Sequence, residues 1–136
     1  LADLVITAAN VVPGTNATKT QGIAGAAITA GQVVYLDSAT NTFKLADCNS
    51  GTAAARVPFG VALDNAASGQ PITVQTSGPV TIGTAVTPGV GYYLSANPGG
   101  VCPVADMVTG CFPSFLGFAI NATQINLNIQ SAGVSL

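Results

Sequence analysis

General acid–base catalysis needs a group that titrates near neutrality and can be held against a substrate. This sequence has no histidine and no glutamate, which leaves aspartate, lysine, tyrosine and cysteine. Asp37, Asp64 and Asp106 each fall where a short apolar run meets turn residues, and Asp47 occupies a place like that of Asp106. Aspartate at such a place accepts backbone N–H bonds, so a turn role is expected and a catalytic pair is not. Cys48, Cys102 and Cys111 are odd in number and lack metal-ligand or redox spacing. Lys44 is near Cys48 in sequence, yet nothing orients the two as base and nucleophile. Cys102 and Cys111 flank a turn and are expected as reduced, half-buried thiols rather than as a bridge across it. The segment from Asp37 to Asn41 offers oxygens but lacks the acidic residue that closes a calcium loop. The run GVGYYL has neither the third glycine nor the helix of a phosphate cradle. Asn16 and Asn121 each begin an Asn-Ala-Thr triplet, a pattern that arises easily in a chain rich in these residues. Tyr35, Tyr92 and Tyr93 lie inside strand-like runs, where packing is their simplest role. The sequence therefore predicts a non-enzyme, with no catalytic residue, no cofactor, no metal site and no small-molecule substrate.

Composition narrows the partners. Only 6% of the 136 residues are charged, against about 25% in an ordinary soluble domain. Lys19, Lys44 and Arg56 are too few to form the basic footprint that nucleic acid requires, so no nucleic-acid contact is expected. Glycine, threonine, asparagine or proline breaks each apolar run well short of the ~20 residues of a membrane helix, so no membrane partner is expected. The sequence begins without a basic region followed by an apolar core, and no secretory signal is expected. Disorder is equally unexpected, because disordered chains are poor in apolar residues and this one is 49% hydrophobic. A chain that folds with so little charge has weak colloidal repulsion and tends to associate.

The elements that must position these residues are strands. Eight prolines and sixteen glycines punctuate the chain and leave little room for a helical stripe. Between them lie short runs rich in Val, Ile, Thr, Tyr and Phe. Strands are predicted at residues 4–8, 32–37, 42–46, 59–63, 72–76, 80–82, 92–95, 101–104, 115–120 and 124–129. The last alternates, with Ile125, Leu127 and Ile129 on one face and Asn126, Asn128 and Gln130 on the other. Such spacing reads as an all-β fold, a compact small barrel or a β-sandwich.

Two stretches repeat. ITAGQVVYLDSATNTFKLAD (28–47) parallels VTPGVGYYLSANPGGVCPVAD (86–106), and FGVALDNAASGQPITVQ (59–75) parallels LGFAINATQINLNIQ (116–130). Tyr35 then matches Tyr93, Asp47 matches Asp106 and Gly60 matches Gly117, at an offset of about 58 residues. The reading is one domain of two similar halves, residues 26–136, with pseudo-repeats at 28–76 and 86–130. Residues 1–25 stand outside the duplication. They form either an edge strand of their own subunit or an extended N-terminal arm laid on a neighbour by strand addition. The arm is preferred, with Leu4, Ile6, Val11 and Val12 as its contact residues.

The segments ITAGQVVYLD, GVALDNAASGQPITVQTSGPVTIG and YYLSANPGG, with the opening LVITAANVVPG, resemble the small capsid decoration, or cement, proteins of tailed bacteriophages. The resemblance covers most of the chain and rests on turn pattern and composition. It implies a structural protein of the virion that binds the outer surface of an assembled head, after assembly in the host cytoplasm. Its implied partners are the major capsid protein and copies of itself, as a homotrimer at local threefold positions, stabilising the shell against genome pressure. Two other readings fit the composition: a receptor- or glycan-binding knob of a phage head or tail fibre, and a pilin-like or surface-layer subunit.

Overall fold

The computed structural model describes residues 3–136. Among them, ten strands join one sheet: β1 (Val11–Pro13), β2 (Thr18–Ile23), β3 (Val33–Asp37), β4 (Thr42–Leu45), β5 (Gly60–Ala62), β6 (Pro71–Ile82), β7 (Gly91–Leu94), β8 (Val101–Pro103), β9 (Ser114–Ala119) and β10 (Gln124–Ser131). All the strand pairings are antiparallel. The helical pieces described are single 3-10 turns at Ala8–Asn10, Ala53–Arg56 and Val104–Asp106. The all-β class expected from the glycine, proline and β-branched content is what forms. The main path runs β4-β3-β5-β6-β10-β9-β7-β8 and curls into a half-barrel.

The path has the same order read from either end, β4-β3-β5-β6 and β8-β7-β9-β10. Tyr35 sits opposite Lys44 across β3 and β4, as Tyr93 sits opposite Cys102 across β7 and β8. Ala62 faces Val74, and Ala119 faces Ile125. At Gly60 a Cβ would strike the carbonyl oxygen of Gln75, and at Gly117 that of Asn126. Any larger residue would force the two backbones apart, which accounts for Gly-x-Ala, at the start of β5 and within β9.

β6 belongs to both ends of the path. The sequence predicts two strands here, because Gly78 and Pro79 read as breakers; the chain instead continues for 12 residues. Along one edge β6 pairs with β5 and β10, and along the other with β2 and β1. On the second edge β2 begins opposite Ser77 and β1 ends opposite Val80. Pro79 falls in the gap between them, where its carbonyl accepts the Gly14 N–H (2.8 Å) and no N–H is asked of it. The fully buried Gln75 holds this irregular stretch: its Nε2 donates to the carbonyls of Ser77 (3.2 Å), Gly78 (3.0 Å) and Pro79 (2.8 Å).

Residues 3–25 lie along this chain's own sheet; Leu1 and Ala2 lie outside the described residues. Asp3 accepts hydrogen bonds from Ser95 Oγ (2.6 Å) and Asn97 Nδ2 (2.9 Å), and the Leu4 N–H donates to the Val101 carbonyl (2.8 Å). Next, the Thr7 N–H meets the Gly83 carbonyl at 3.0 Å, and β1 and β2 follow β6. The Gly25 N–H then reaches the Phe43 carbonyl of β4 at 2.7 Å. One segment thus runs from β8, at one end of the path, to β4 at the other. The strand predicted at 4–8 does not form, because these residues make isolated bonds rather than a ladder and turn into the 3-10 piece at Ala8–Asn10. The accessible surface, 6253 Å², is close to the roughly 6,400 Å² expected of a compact chain of this mass.

Alternating residues serve two cores. Val33, Tyr35 and Val61 join the larger cluster, which also holds Leu94, Leu116, Ile125 and Leu127. Val34, Ala62, Ile72 and Val74 join a smaller one around Phe43 and Ile28. The first half of the sheet is therefore buried on both faces.

Candidate functional site

The titratable side chains are dispersed and mostly structural. Asp37, Asp47 and Asp64 accept backbone N–H bonds from Ala39 (3.0 Å), Asn49 (3.1 Å) and Thr73 (3.0 Å), as turn aspartates do. Lys44 Nζ lies 2.7 Å from Asp37 Oδ2. That hydrogen bond holds the Asp37 carboxyl below its ordinary range and the Lys44 ammonium above its own. Arg56 lies over the Phe112 ring, 3.9 Å from its centroid. Tyr35 and Tyr92 are buried, and the Tyr92 hydroxyl accepts the Thr87 N–H at 3.0 Å.

The cysteines correct the sequence reading. Cys48 and Cys111 form a disulfide with Cα atoms 4.8 Å apart, 63 residues apart in the chain. Cys102 is a free thiol, as expected, and buried, with its sulfur 3.8 Å from that of Met107; the correction falls on Cys111, which is bridged rather than reduced. Burial pushes its pKa up to about 11, and the charges of Asp3 and Asp106 add to the effect. It is a packing residue rather than a nucleophile. The disulfide links the segment after β4 to the segment before β9, so it ties the two ends of the path together.

The four proposed contact residues separate by environment. Val11 is buried, Leu4 and Ile6 are part-buried against the larger core, and Val12 is 52% exposed. The outward neighbours are Val5, at 86% exposure, and Ile23 at the end of β2. Only Val12 of the four thus turns outward, and Val5 and Ile23 are outward apolar residues that the sequence reading missed. Burial alternates along β2, whose outer edge has no strand partner among the described residues beyond the single bridge from Ala24 to Phe43.

The most developed surface lies on β7, β9 and β10. Phe115 stacks edge-on against Tyr93 (centroids 5.5 Å apart) and against Phe118 (4.9 Å). Phe118 is 57% exposed, and Ile120 continues the apolar row. Phe115 and Phe118 are three positions apart and would point to opposite faces of a regular strand. Register shifts between Tyr92 and Tyr93 and between Leu127 and Gln130 bring them onto one face. Across from them on β10, Asn126, Asn128 and Gln130 line the same groove of about 540 Å³. None of these three amides bonds another described side chain or backbone group. The groove lining contains no charged residue. Sequence alternation does place the three amides on one face; the aromatic cluster beside them was missed, because its formation depends on irregular register.

The chain matches no protein-family model and no curated protein. The described residues contain no group of three or more His, Cys, Asp or Glu side chains able to hold a metal ion, and no helix long and apolar enough to cross a membrane. What the arrangement offers is surface: a cross-linked β body with an outward apolar seam and a separate uncharged groove.

Proposed function

We propose that this chain is a non-enzymatic structural subunit that decorates the outer surface of an assembled tailed-phage head. It binds the major capsid protein as a homotrimer at local threefold positions and holds neighbouring shell subunits against the pressure of packaged genome. The observation that carries this reading is the N-terminal seam. There Val5, Val12 and Ile23 face outward on a segment whose inward residues and backbone bonds close the sheet. Apolar residues fixed on a rigid seam lose little conformational freedom on docking, so small patches engaged several at a time suffice for stable attachment. With 6% charged residues, little ionic surface has to be desolvated at such a contact. The disulfide suits a particle surface, since such bonds persist on virions and outside cells rather than in the reducing cytoplasm where heads assemble. The resemblance of the turn segments to phage cement proteins points the same way. Nucleic acid, membrane and cofactor have no part in this role.

A second reading, a receptor- or glycan-binding knob of a phage head or tail fibre, is favoured by the aromatic and amide groove.

The docking reading is tested by co-sedimentation of the purified chain with undecorated expanded heads, comparing the native protein with Val12→Asp and Ile23→Asp. The native chain is expected to pellet to saturation and both variants to stay largely in the supernatant while keeping the native circular dichroism spectrum. A native chain that never pellets, or variants that pellet equally well, overturns the reading.

A further inference from the structure

We propose that the groove on β7, β9 and β10 binds a neutral oligosaccharide. This is a second site, on strands other than those of the N-terminal seam, and it does not depend on the docking reading. Its floor has the two kinds of group a sugar needs. The exposed Phe118 ring, fixed by its edge contact with Phe115, offers an apolar face for the C–H side of a pyranose. Asn126, Asn128 and Gln130 then supply carboxamides, each able to donate and accept, which is what a hydroxyl that does both requires. These amides are uncommitted to the rest of the described chain, so binding breaks no internal hydrogen bond. They recur at every second residue of β10, Asn126 and Asn128 about 7 Å apart along the strand, a spacing that addresses successive positions of an extended ligand.

Electrostatics narrows the ligand class. The lining carries neither lysine nor arginine, so a phosphorylated or acidic sugar finds no counter-ion, and it carries no carboxylate to hold an amino sugar's cation. A neutral chain loses nothing by this. The volume of about 540 Å³ falls within the range of small-ligand sites. A protein partner is the less favoured occupant, because a row of three amides beside the rings would need three matched partners to be covered without loss.

The experiment is isothermal titration calorimetry and proton–nitrogen NMR on the full chain against neutral gluco-, manno-, galacto- and N-acetylglucosamine oligosaccharides. At least one series is expected to bind, with shift changes centred on Phe118, Asn126 and Asn128. Phe118→Ala should weaken that binding about tenfold or more. Asn128→Gln should weaken it less than Asn128→Ala, since the amide is kept. Circular dichroism and the melting temperature establish that each variant is folded. Absence of binding across the panel, or binding that survives Phe118→Ala unchanged, overturns the proposal. If Phe118→Ala instead removes self-association or head binding while no sugar binds, the groove is a protein interface and the sugar proposal fails. Should heads fail to bind the native chain while a sugar does, the docking reading alone is lost.

Discussion

Removing the Cys48–Cys111 disulfide should cost the protein much of its stability. The bond closes a loop of 63 residues, which in the chain-entropy account corresponds to about 4 kcal/mol at room temperature. Both sulfurs are buried, and the bond joins segments from opposite ends of the sheet path, so the native state gains no compensating freedom when it is cut. An entropy of unfolding of about 2.1 cal/mol/K per residue gives roughly 0.29 kcal/mol/K for this chain. The melting temperature should therefore fall by about 15 °C. The assay is a calorimetric melt of the oxidised protein, of the same protein kept in a phosphine reductant, and of the Cys48→Ala, Cys111→Ala double variant. The reduced and double-variant forms should melt at similar, much lower temperatures, with Cys102 unchanged in all three. A shift under about 3 °C in both would refute the reasoning, because it would mean that the two ends of the path are held as well without the bond.

Other outcomes follow from the same geometry. Gly60→Ala and Gly117→Ala should each destabilise by about 2 kcal/mol or more in urea melts, since both Cβ atoms meet a neighbouring carbonyl, whereas Gly51→Ala, with open space around it, should be near neutral. Truncation of residues 1–25 should leave soluble protein scarce and poorly folded by NMR, because the cut removes Val11 from the core and the bonds to β4 and β8; a well-dispersed spectrum from the truncated chain would contradict the seam assignment. Cys102 should resist iodoacetamide at pH 8 in the folded protein and react at once in denaturant. Because its proton is held more tightly folded than unfolded, its contribution to stability should be complete below about pH 9 and decline as pH rises towards 11, as urea melts across that range would show. Asp37 has the opposite sign: its pair with Lys44 helps above the ordinary carboxylate range and fades as pH falls through it, with a small effect because the pair is only part-buried and solvent-screened.

Much of the fold could be read from spacing. The strands from β3 to β10 fall where short apolar runs lie between glycine and proline, since burial on alternate positions leaves a mark in sequence. β2 leaves no such mark. Apart from Gly22 and Ile23, its residues Thr18–Ile23 are polar, they are half exposed at an edge, and what holds them is the ladder with β6 rather than packing. The continuity of β6 was hidden for a different reason: Pro79 breaks a strand only where its missing N–H is needed, and the gap between β1 and β2 lies outside the reach of local sequence. Cys48 and Cys111 could not be matched because connectivity depends on which ends of the sheet meet. The groove was half legible. Alternation along β10 exposes its amides, whereas the register shifts that bring Phe115 and Phe118 together are tertiary features.

The proposed attachment to a larger body rests on a β chain with few ionic groups and an outward apolar seam. Cryo-electron microscopy of undecorated expanded heads incubated with a molar excess of the oxidised protein tests this most directly. Added density the size of three copies on the outer surface, at local threefold positions, with the N-terminal seam against the shell, is the expected result. Bare shells at saturating protein would contradict it.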